Sequence, residues 1–181
     1  MHRRRRRGSV RLTAIGTSFS GLLYRALNPY YARDPLSGAG AGRYGGRFNP
    51  KGLPALYTSM SVMTAIREAN QVGVLQPITL VAYRVHIQNL FDTRDGVALS
   101  AVGMSHADLA DPSWRDTMRD HGEAPTQKLG RMLFQEGYNG IIVRSFAKGT
   151  SPDQLNVVLW SWGTEGSKVK LVDDENRSRL N

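Results

Sequence analysis

The sequence predicts an α+β fold in a single domain, with mixed, mostly antiparallel strands and flanking helices. Three observations lead to this prediction. The chain has 181 residues and 40% of them are hydrophobic, which is enough for one core. Strand-like and helix-like segments do not alternate regularly, as they would in a doubly wound fold. No internal repeat is present.

The domain is expected at residues 21–175, between a basic arm with its lead-in at residues 1–20 and a tail at residues 176–181. Arg3–Arg7 supply five of the positive charges behind the net charge of +9, so the basicity is concentrated in the arm. Such an arm could contact nucleic acid or an acidic partner. The alternative is a disordered tail without function, which is common at chain ends.

Composition excludes several kinds of site. The chain has no cysteine, so disulfides, thiolate nucleophiles and cysteine-bound metals are ruled out. The four histidines are scattered and show no metal-binding spacing, so no metal cofactor is expected. Neither a signal peptide nor an apolar run of ~20 residues is recognisable. We therefore expect a cytoplasmic protein with no membrane partner.

The first elements surround a long connection. Leu22–Ala26 has the pattern of a short strand, and Leu56–Thr58 that of another. Between them, residues 28–54 are rich in Gly, Pro and Tyr and show no helical or strand period. Loops of this length in compact domains are usually functional or disordered. An ordered functional loop is favoured by its arginines and aromatic residues, which are Arg33, Arg43, Arg47, Tyr30, Tyr31, Tyr44 and Phe48.

The next element is a helix that begins at a serine cap, either Ser59 or Ser61, and runs to about Asn70 or Val72. Successive residues of a helix are rotated by roughly 100°, so Glu68 lies about 60° around the helix axis from Ala65, at the edge of the apolar stripe. It is therefore predicted at the border between the core and a cleft. The stripe itself consists of Val62, Ala65, Ile66 and Ala69.

The second half of the chain is predicted to complete the sheet. Residues 92–123 are polar, with short helices around His106 and Trp114. Thr126–Glu136 is a helix that Gly137 ends. The remaining strands are Ile78–Val85, Ile141–Arg144, Leu155–Trp160 and Val169–Val172.

A glycine pair before an arginine is the first candidate for binding. Gly45-Gly46 lets the backbone approach a ligand, and Arg47 can place its forked guanidinium on phosphate or carboxylate oxygens. A solvated arginine in a surface turn is the alternative. Neither a phosphate-binding P-loop nor a G-x-G-x-x-G turn between strand and helix is present, which disfavours ordinary mononucleotide and Rossmann sites.

Three further side chains could carry chemistry. Tyr57 could stack on a planar ring, or it could be a core tyrosine. Glu68 could be an acid in a cleft, or part of a solvated helix edge. Ser145 follows an apolar strand and could donate a hydrogen bond to a ligand, or cap the strand end. No G-x-S-x-G surrounds it, so a nucleophilic serine is disfavoured.

Together these residues resemble a RES domain, a family named for its arginine, glutamate and serine. The resemblance covers roughly residues 20–175 and is most specific in its central motif. It rests on Tyr24-Arg25, the segment Asp34–Pro50 with Gly45-Gly46-Arg47-Phe48-Asn49-Pro50, Ala55-Leu56-Tyr57, Glu68 and Ser145. RES proteins are toxins of type II toxin–antitoxin pairs. Their fold is similar to that of ADP-ribosyltransferases, and they consume NAD+.

The resemblance implies a role for each matched residue. Arg25 and Arg47 would hold the phosphates or ribose of NAD+, with Arg43 beside them. Tyr57 would lie near the nicotinamide, and Glu68 would contact the nicotinamide ribose. Ser145 would line the same pocket. The catalytic set would be Glu68, Arg47 and Tyr57.

The implied chemistry needs few groups. Nicotinamide leaves as a neutral molecule, so its departure needs no general acid, and one carboxylate can stabilise the cation-like sugar. Water, phosphate or a protein side chain could then accept the ADP-ribose. The family also implies a helix-turn-helix antitoxin of the Xre type that covers the cleft, and hence a hetero-oligomer.

A function of another class stays open on the sequence alone. The chain could be a non-enzymatic nucleic-acid-binding module that uses Arg3–Arg7 and the loop arginines. This interpretation accounts for the charge but not for the spacing of Glu68 from Arg47 and Tyr57.

Overall fold

A computed structural model of the chain describes residues 16–71 and 76–173. The predicted arm with Arg3–Arg7, the tail at residues 176–181 and Val72 lie outside the described residues. The described part contains a 3₁₀ helix at Pro29–Tyr31 and twelve longer elements. In chain order these are β1 Thr17–Leu27, α1 Ala39–Tyr44, β2 Leu56–Ser59, α2 Val62–Ala69, β3 Thr79–Asp92, α3 Gly96–Ala101, α4 His106–Ala110, α5 Trp114–His121, α6 Pro125–Gln135, β4 Gly140–Arg144, β5 Leu155–Leu159 and β6 Ser167–Leu171. The α+β prediction is confirmed.

The strand pairings form a closed ring. β1 pairs with β2, β2 with β5, β5 with β4, β4 with β3, and β3 returns to β1. β6 adds to β3 outside this ring. Among the described strands only β3 and β4 run parallel, so the sheet is mixed and mostly antiparallel, as predicted.

The pairing of β1 with β3 is longer than the sequence indicated. It extends from Thr17 opposite Leu90 to Leu27 opposite Thr79, with a shift of register between Thr17 and Phe19. The predicted strands stopped short because polar residues interrupt the apolar runs. In β3 those residues, such as His86 and Gln88, are exposed and alternate with buried ones. One face of the strand is therefore covered while the other reaches solvent.

The long connection between β1 and β2 is not irregular throughout, which corrects the sequence interpretation. Its Ala-Gly-Ala-Gly-Arg-Tyr stretch forms the helix α1. Glycine is a poor helix former, so the composition concealed this helix. Tertiary contacts support it, because Asn49 Nδ2 donates to the Ala41 carbonyl at 2.9 Å.

Helix α2 presents a different face from the predicted one. Ser61 caps its start, because the Ser61 Oγ accepts a hydrogen bond from Thr64 N at 3.1 Å. The buried residues are Thr64 and Ala65, whereas Ala69 is exposed. Glu68 is four residues after Thr64 and three after Ala65, so it lies on this inward face. Glu68 itself is half-buried and contacts Asn156 of β5, so it lies at the border between the core and the surface.

Two cores lie on opposite faces of β4 and β5. Ile142, Val157 and Leu159 belong to the first core, which β1 and β3 share. Ile141, Val143 and Val158 belong to the second, which contains Phe48 from the loop after α1 and residues of α6. The cores thus place that loop against the sheet. None of the described helices has the length and apolar character needed to cross a membrane.

The other helices agree largely with expectation. α6 runs one residue earlier at both ends than predicted, and Gly137 with φ 88° follows it. Short helices occur at His106 and Trp114, as predicted. α3 was not predicted. Asp95 caps it by accepting hydrogen bonds from the Val97 and Ala98 amides at 2.9 and 3.1 Å.

Candidate functional site

The carboxylate of Glu68 is held by neutral hydrogen-bond donors. Ser145 Oγ and Asn156 Nδ2 each donate to its Oε1 at 2.5 Å, and Gln71 donates to its Oε2. Ser59 Oγ donates to Asn156 Oδ1 at 2.7 Å, which fixes the orientation of that amide. Within the described residues Glu68 forms no ion pair. These hydrogen bonds therefore fix the orientation of the carboxylate.

Glu68 stands where two cavities meet. The Arg47 cavity has a volume of about 280 Å³ and the Arg25 cavity about 230 Å³. Tyr57, Glu68 and Asn156 line both. The Arg47 cavity is also lined by aromatic and basic residues, among them Phe48, Trp114, Arg115 and Phe146. The two cavities together form the candidate cleft.

Arg47 forms part of the cleft wall. Its Nη1 donates to the carbonyls of Leu109 at 2.9 Å and Asp111 at 3.0 Å, and its guanidinium lies 4.7 Å from the centre of the Phe146 ring. Burial and the nearby Arg115 lower the pKa of Arg47, while Glu68 opposes this effect. An arginine nevertheless stays charged. Its Nε and Nη2 have no partner among the described residues and can donate to an anion.

The hydroxyl of Tyr57 supports the loop before it. Tyr57 Oη donates to Asn49 Oδ1 at 2.7 Å and accepts from Phe48 N at 3.0 Å. A side chain at Gly46 would collide with this hydroxyl, which explains why glycine is required there. Burial raises the pKa of Tyr57, so the hydroxyl stays protonated. The proton of the hydroxyl is thus used within the loop, and Tyr57 lines both cavities.

Helix α6 supports the same loop from behind. Gln127 Nε2 donates to the Gly46 carbonyl at 2.9 Å and the Asn49 carbonyl at 3.2 Å. Its Oε1 accepts from Ala124 N at 2.9 Å, which fixes the amide. Trp160 Nε1 donates to the Phe48 carbonyl at 2.9 Å. These bonds satisfy the buried backbone beside Arg47 and hold the loop in one geometry.

The other predicted residues occupy different places. Arg25 lines the Arg25 cavity, and its Nη1 donates to the Ser37 carbonyl at 3.0 Å and the Pro35 carbonyl at 3.3 Å. Ser145 is buried beside Glu68 and borders a further cavity of about 360 Å³. Arg43 lines neither cavity of the cleft. Its guanidinium lies 5.4 Å from the centre of the Tyr44 ring in a separate groove.

Several functional candidates escaped the sequence interpretation. Asn156 had a visible signal, because it is the one polar residue in the apolar run Leu155–Trp160. Gln127 and Trp114 had none, since a glutamine or tryptophan on a helix is usually structural. Tertiary folding alone brings α5 and α6 beside the loop of Arg47.

Histidine and metal chemistry have little support in the described part of the chain. No group of three or more His, Asp or Glu side chains there could hold a metal ion. His86 makes a 2.6 Å hydrogen bond with Ser20, and His106 Nε2 lies 2.9 Å from the Thr93 carbonyl. Neither histidine lines the cleft.

Comparison with known proteins identifies the family. The model of the RES domain matches residues 22–178. This chain belongs to the RES domain family. Its curated relatives include the NAD(+) phosphorylase MbcT of Mycobacterium tuberculosis and that of Mycobacterium bovis. Each is 29% identical over 160 residues, covering 81% of this chain and 85% of the relative. The resemblance inferred from the sequence is confirmed.

Proposed function

We propose that this RES domain protein cleaves the nicotinamide–ribose bond of NAD+ and transfers the ADP-ribose to inorganic phosphate. The observation that carries the proposal is the position of Glu68. Its carboxylate stands at the junction of two cavities and is oriented by Ser145 and Asn156. The similarity to NAD(+) phosphorylases over most of the chain supports the choice of substrate and acceptor.

The carboxylate acts on the sugar. When the C–N bond breaks, its electron pair leaves with nicotinamide, which departs as a neutral molecule. The ribose carbon then becomes cation-like, and Glu68 stabilises that charge across the cleft. Ser145 and Asn156 hold the carboxylate in place before the charge develops, so little reorganisation is needed at the moment of reaction. The ring of Tyr57 borders both cavities and suits contact with the nicotinamide ring.

The acceptor is assigned to the Arg47 cavity. Arg47 and Arg115 both line it, and they can bind an anion together. A phosphate oxygen carries its own negative charge, so its attack on the ribose carbon forms the new C–O bond without a general base. Water or a protein hydroxyl would have to lose a proton. Among the described residues that line the two cavities, Glu68 is the sole carboxylate and no histidine is present.

The test is a product analysis. The protein is incubated with NAD+ in phosphate-free buffer, with added phosphate, and with lysate, and products are identified by mass spectrometry. We expect nicotinamide and ADP-ribose 1″-phosphate, formed in proportion to phosphate and undiminished by EDTA. If free ADP-ribose forms at a rate that does not depend on phosphate, the acceptor is water and not phosphate. If lysate proteins become ADP-ribosylated, the acceptor is a protein. If NAD+ is not consumed under any of these conditions, the proposed function is wrong.

We further propose that the chain is the toxin of a toxin–antitoxin pair and that a helix-turn-helix antitoxin of the Xre type covers the cleft. An enzyme that drains NAD+ harms its own cell, so it requires such control. The cleft exposes Arg25, Arg47 and Arg115 to a partner, which favours acidic antitoxin groups and salt-sensitive association.

The cellular test is expression with and without the mutation Glu68→Gln. Wild type should arrest growth and deplete NAD+, and the mutant should do neither at equal protein level. Normal growth with unchanged NAD+ would contradict the toxin assignment. Family membership does not favour the nucleic-acid-binding alternative. Deletion of residues 1–8 distinguishes the two, because an enzyme keeps its turnover and a nucleic-acid binder loses most of its affinity.

A further inference from the structure

A groove next to the cleft exposes an unusual amount of aromatic surface. It lies beside the C-terminal end of β1, between the 3₁₀ helix and α1, and has a volume of about 600 Å³. Tyr30, Tyr31 and Tyr44 line it and are 80%, 65% and 64% exposed. Large aromatic side chains clustered in a concave surface are typical of a binding site. We call this surface the tyrosine groove.

The tyrosine groove also carries a net positive charge, because three arginines and one carboxylate, Asp34, line it. Arg33 and Arg43 line it with Arg25, and neither Arg33 nor Arg43 forms an ion pair within the described residues. The Arg43 guanidinium lies over the Tyr44 ring at 5.4 Å from its centre. Flat rings beside unpaired guanidinium groups match a ligand that combines a planar base with phosphate.

Arg25 connects the tyrosine groove to the cleft. It lines both the groove and the Arg25 cavity, which contains Glu68. Its guanidinium is held by the carbonyls of Ser37 and Pro35, so its position between the two spaces is determined. A ligand that passes Arg25 can therefore occupy both spaces at once.

We infer that the tyrosine groove binds the adenylate half of NAD+. The inference rests on the proposed function. NAD+ has two nucleosides joined by a pyrophosphate, and the order of the sites matches this order. The nicotinamide ribose lies at Glu68, the pyrophosphate at Arg25, and the adenine on the tyrosines. Arg43 then contacts the adenylate ribose or phosphate, which returns it to the set of substrate-binding residues.

The test compares NAD+ with nicotinamide mononucleotide, which carries the same scissile bond but lacks the adenylate half. Tyr44→Ala should raise the KM for NAD+ about tenfold, because base stacking is lost. The same mutation should leave kcat/KM for nicotinamide mononucleotide unchanged. Tyr44→Phe keeps the ring and should behave like wild type. Phe134→Ala removes another exposed aromatic, on α6 outside the groove, and serves as the matched control.

A binding measurement separates this inference from the proposed function. Titration calorimetry with AMP, which has no nicotinamide, should give binding to wild type and about tenfold weaker binding to Tyr44→Ala. If NAD+ is not consumed but AMP binds in this way, the proposed reaction is wrong and the adenylate site is supported. Equal effects of Tyr44→Ala on both substrates, or no effect on NAD+ and AMP, would overturn the inference.

Discussion

The loop around Arg47 and the tyrosine groove both adjoin the cleft but are built differently. The loop is braced by buried polar groups, since Asn49 and Gln127 are 0% exposed and hydrogen-bonded. The groove instead presents tyrosines whose rings face solvent, such as Tyr30 and Tyr44. Preorganised groups are needed where charge develops during a reaction, whereas a surface that only supplies affinity can be open. We therefore expect mutations near the loop to change chemistry and folding, and mutations in the groove to change KM.

The largest effect is expected for Glu68→Gln. The amide keeps the shape but loses the charge that stabilises the sugar cation, so kcat should fall about 10²–10³-fold. Affinity for NAD+ should change little, because the charge matters most in the transition state. Rapid-quench kinetics and calorimetry measure the two quantities. Glu136→Gln, an exposed position after α6, is the control. Unchanged kcat in Glu68→Gln would remove Glu68 from the mechanism.

Arg47→Ala should have the next largest effect. Loss of a charge-assisted anion contact should raise the KM for phosphate about tenfold to a hundredfold, and the KM for NAD+ much less. Arg47→Lys should restore only part of the activity, because an ammonium lacks the planar fork. Arg119→Ala on the exposed face of α5 is the control. If the KM for NAD+ rises instead, Arg47 binds the substrate's own phosphates, as the family resemblance implied. Full rescue by lysine would show that point charge suffices.

Gln127→Ala tests the hydrogen bonds by which α6 stabilises the loop around Arg47. The mutation leaves the carbonyls of Gly46 and Asn49 without this donor, so the free energy of unfolding should fall by about 1–3 kcal/mol. Urea denaturation measures this change, and kcat/KM should fall with it. Gln135→Ala, exposed at the end of the same helix, should do neither. Tyr44→Ala should leave stability unchanged. If Gln127→Ala and Gln135→Ala are equally stable, the hydrogen bonds of Gln127 do not stabilise the loop.

The smallest effect concerns pH. Burial raises the pKa of Tyr57 in the folded protein, whereas the unfolded chain ionises near pH 10. The unfolded state therefore releases its proton first, and the free energy of unfolding falls as pH rises above about 10. In Tyr57→Phe this part of the pH dependence should be missing, although two hydrogen bonds to the loop are lost at every pH. Parallel urea titrations at pH 8 and 11 check the difference. Identical pH slopes would contradict it.

Much of the fold was predictable because local patterns encode it. Short apolar or alternating segments indicated each β strand of the described sheet, although not its full length, and a serine and a glycine marked the start of α2 and the end of α6. Helix α1 was missed because glycine has a low helix propensity and α1 contains two glycines. Tertiary hydrogen bonds stabilise this helix, and the sequence does not show them. The inward face of α2 was misjudged for a similar reason. Amphipathic patterns identify apolar residues but not the buried Thr64.

The family could be inferred from the sequence alone, and the match to the RES domain model confirms it. The spacing of Arg47, Tyr57 and Glu68 predicted that they lie near one another, and all three line the Arg47 cavity, because a loop, a strand and a helix that follow each other closely stay close in space. The contacts that these groups make could not be predicted in the same way. The tertiary structure assigned the Tyr57 hydroxyl to the loop, brought Ser145 and Asn156 to Glu68, and placed Arg43 in the tyrosine groove. Those contacts join residues far apart in the chain, and no local pattern encodes which distant side chains meet.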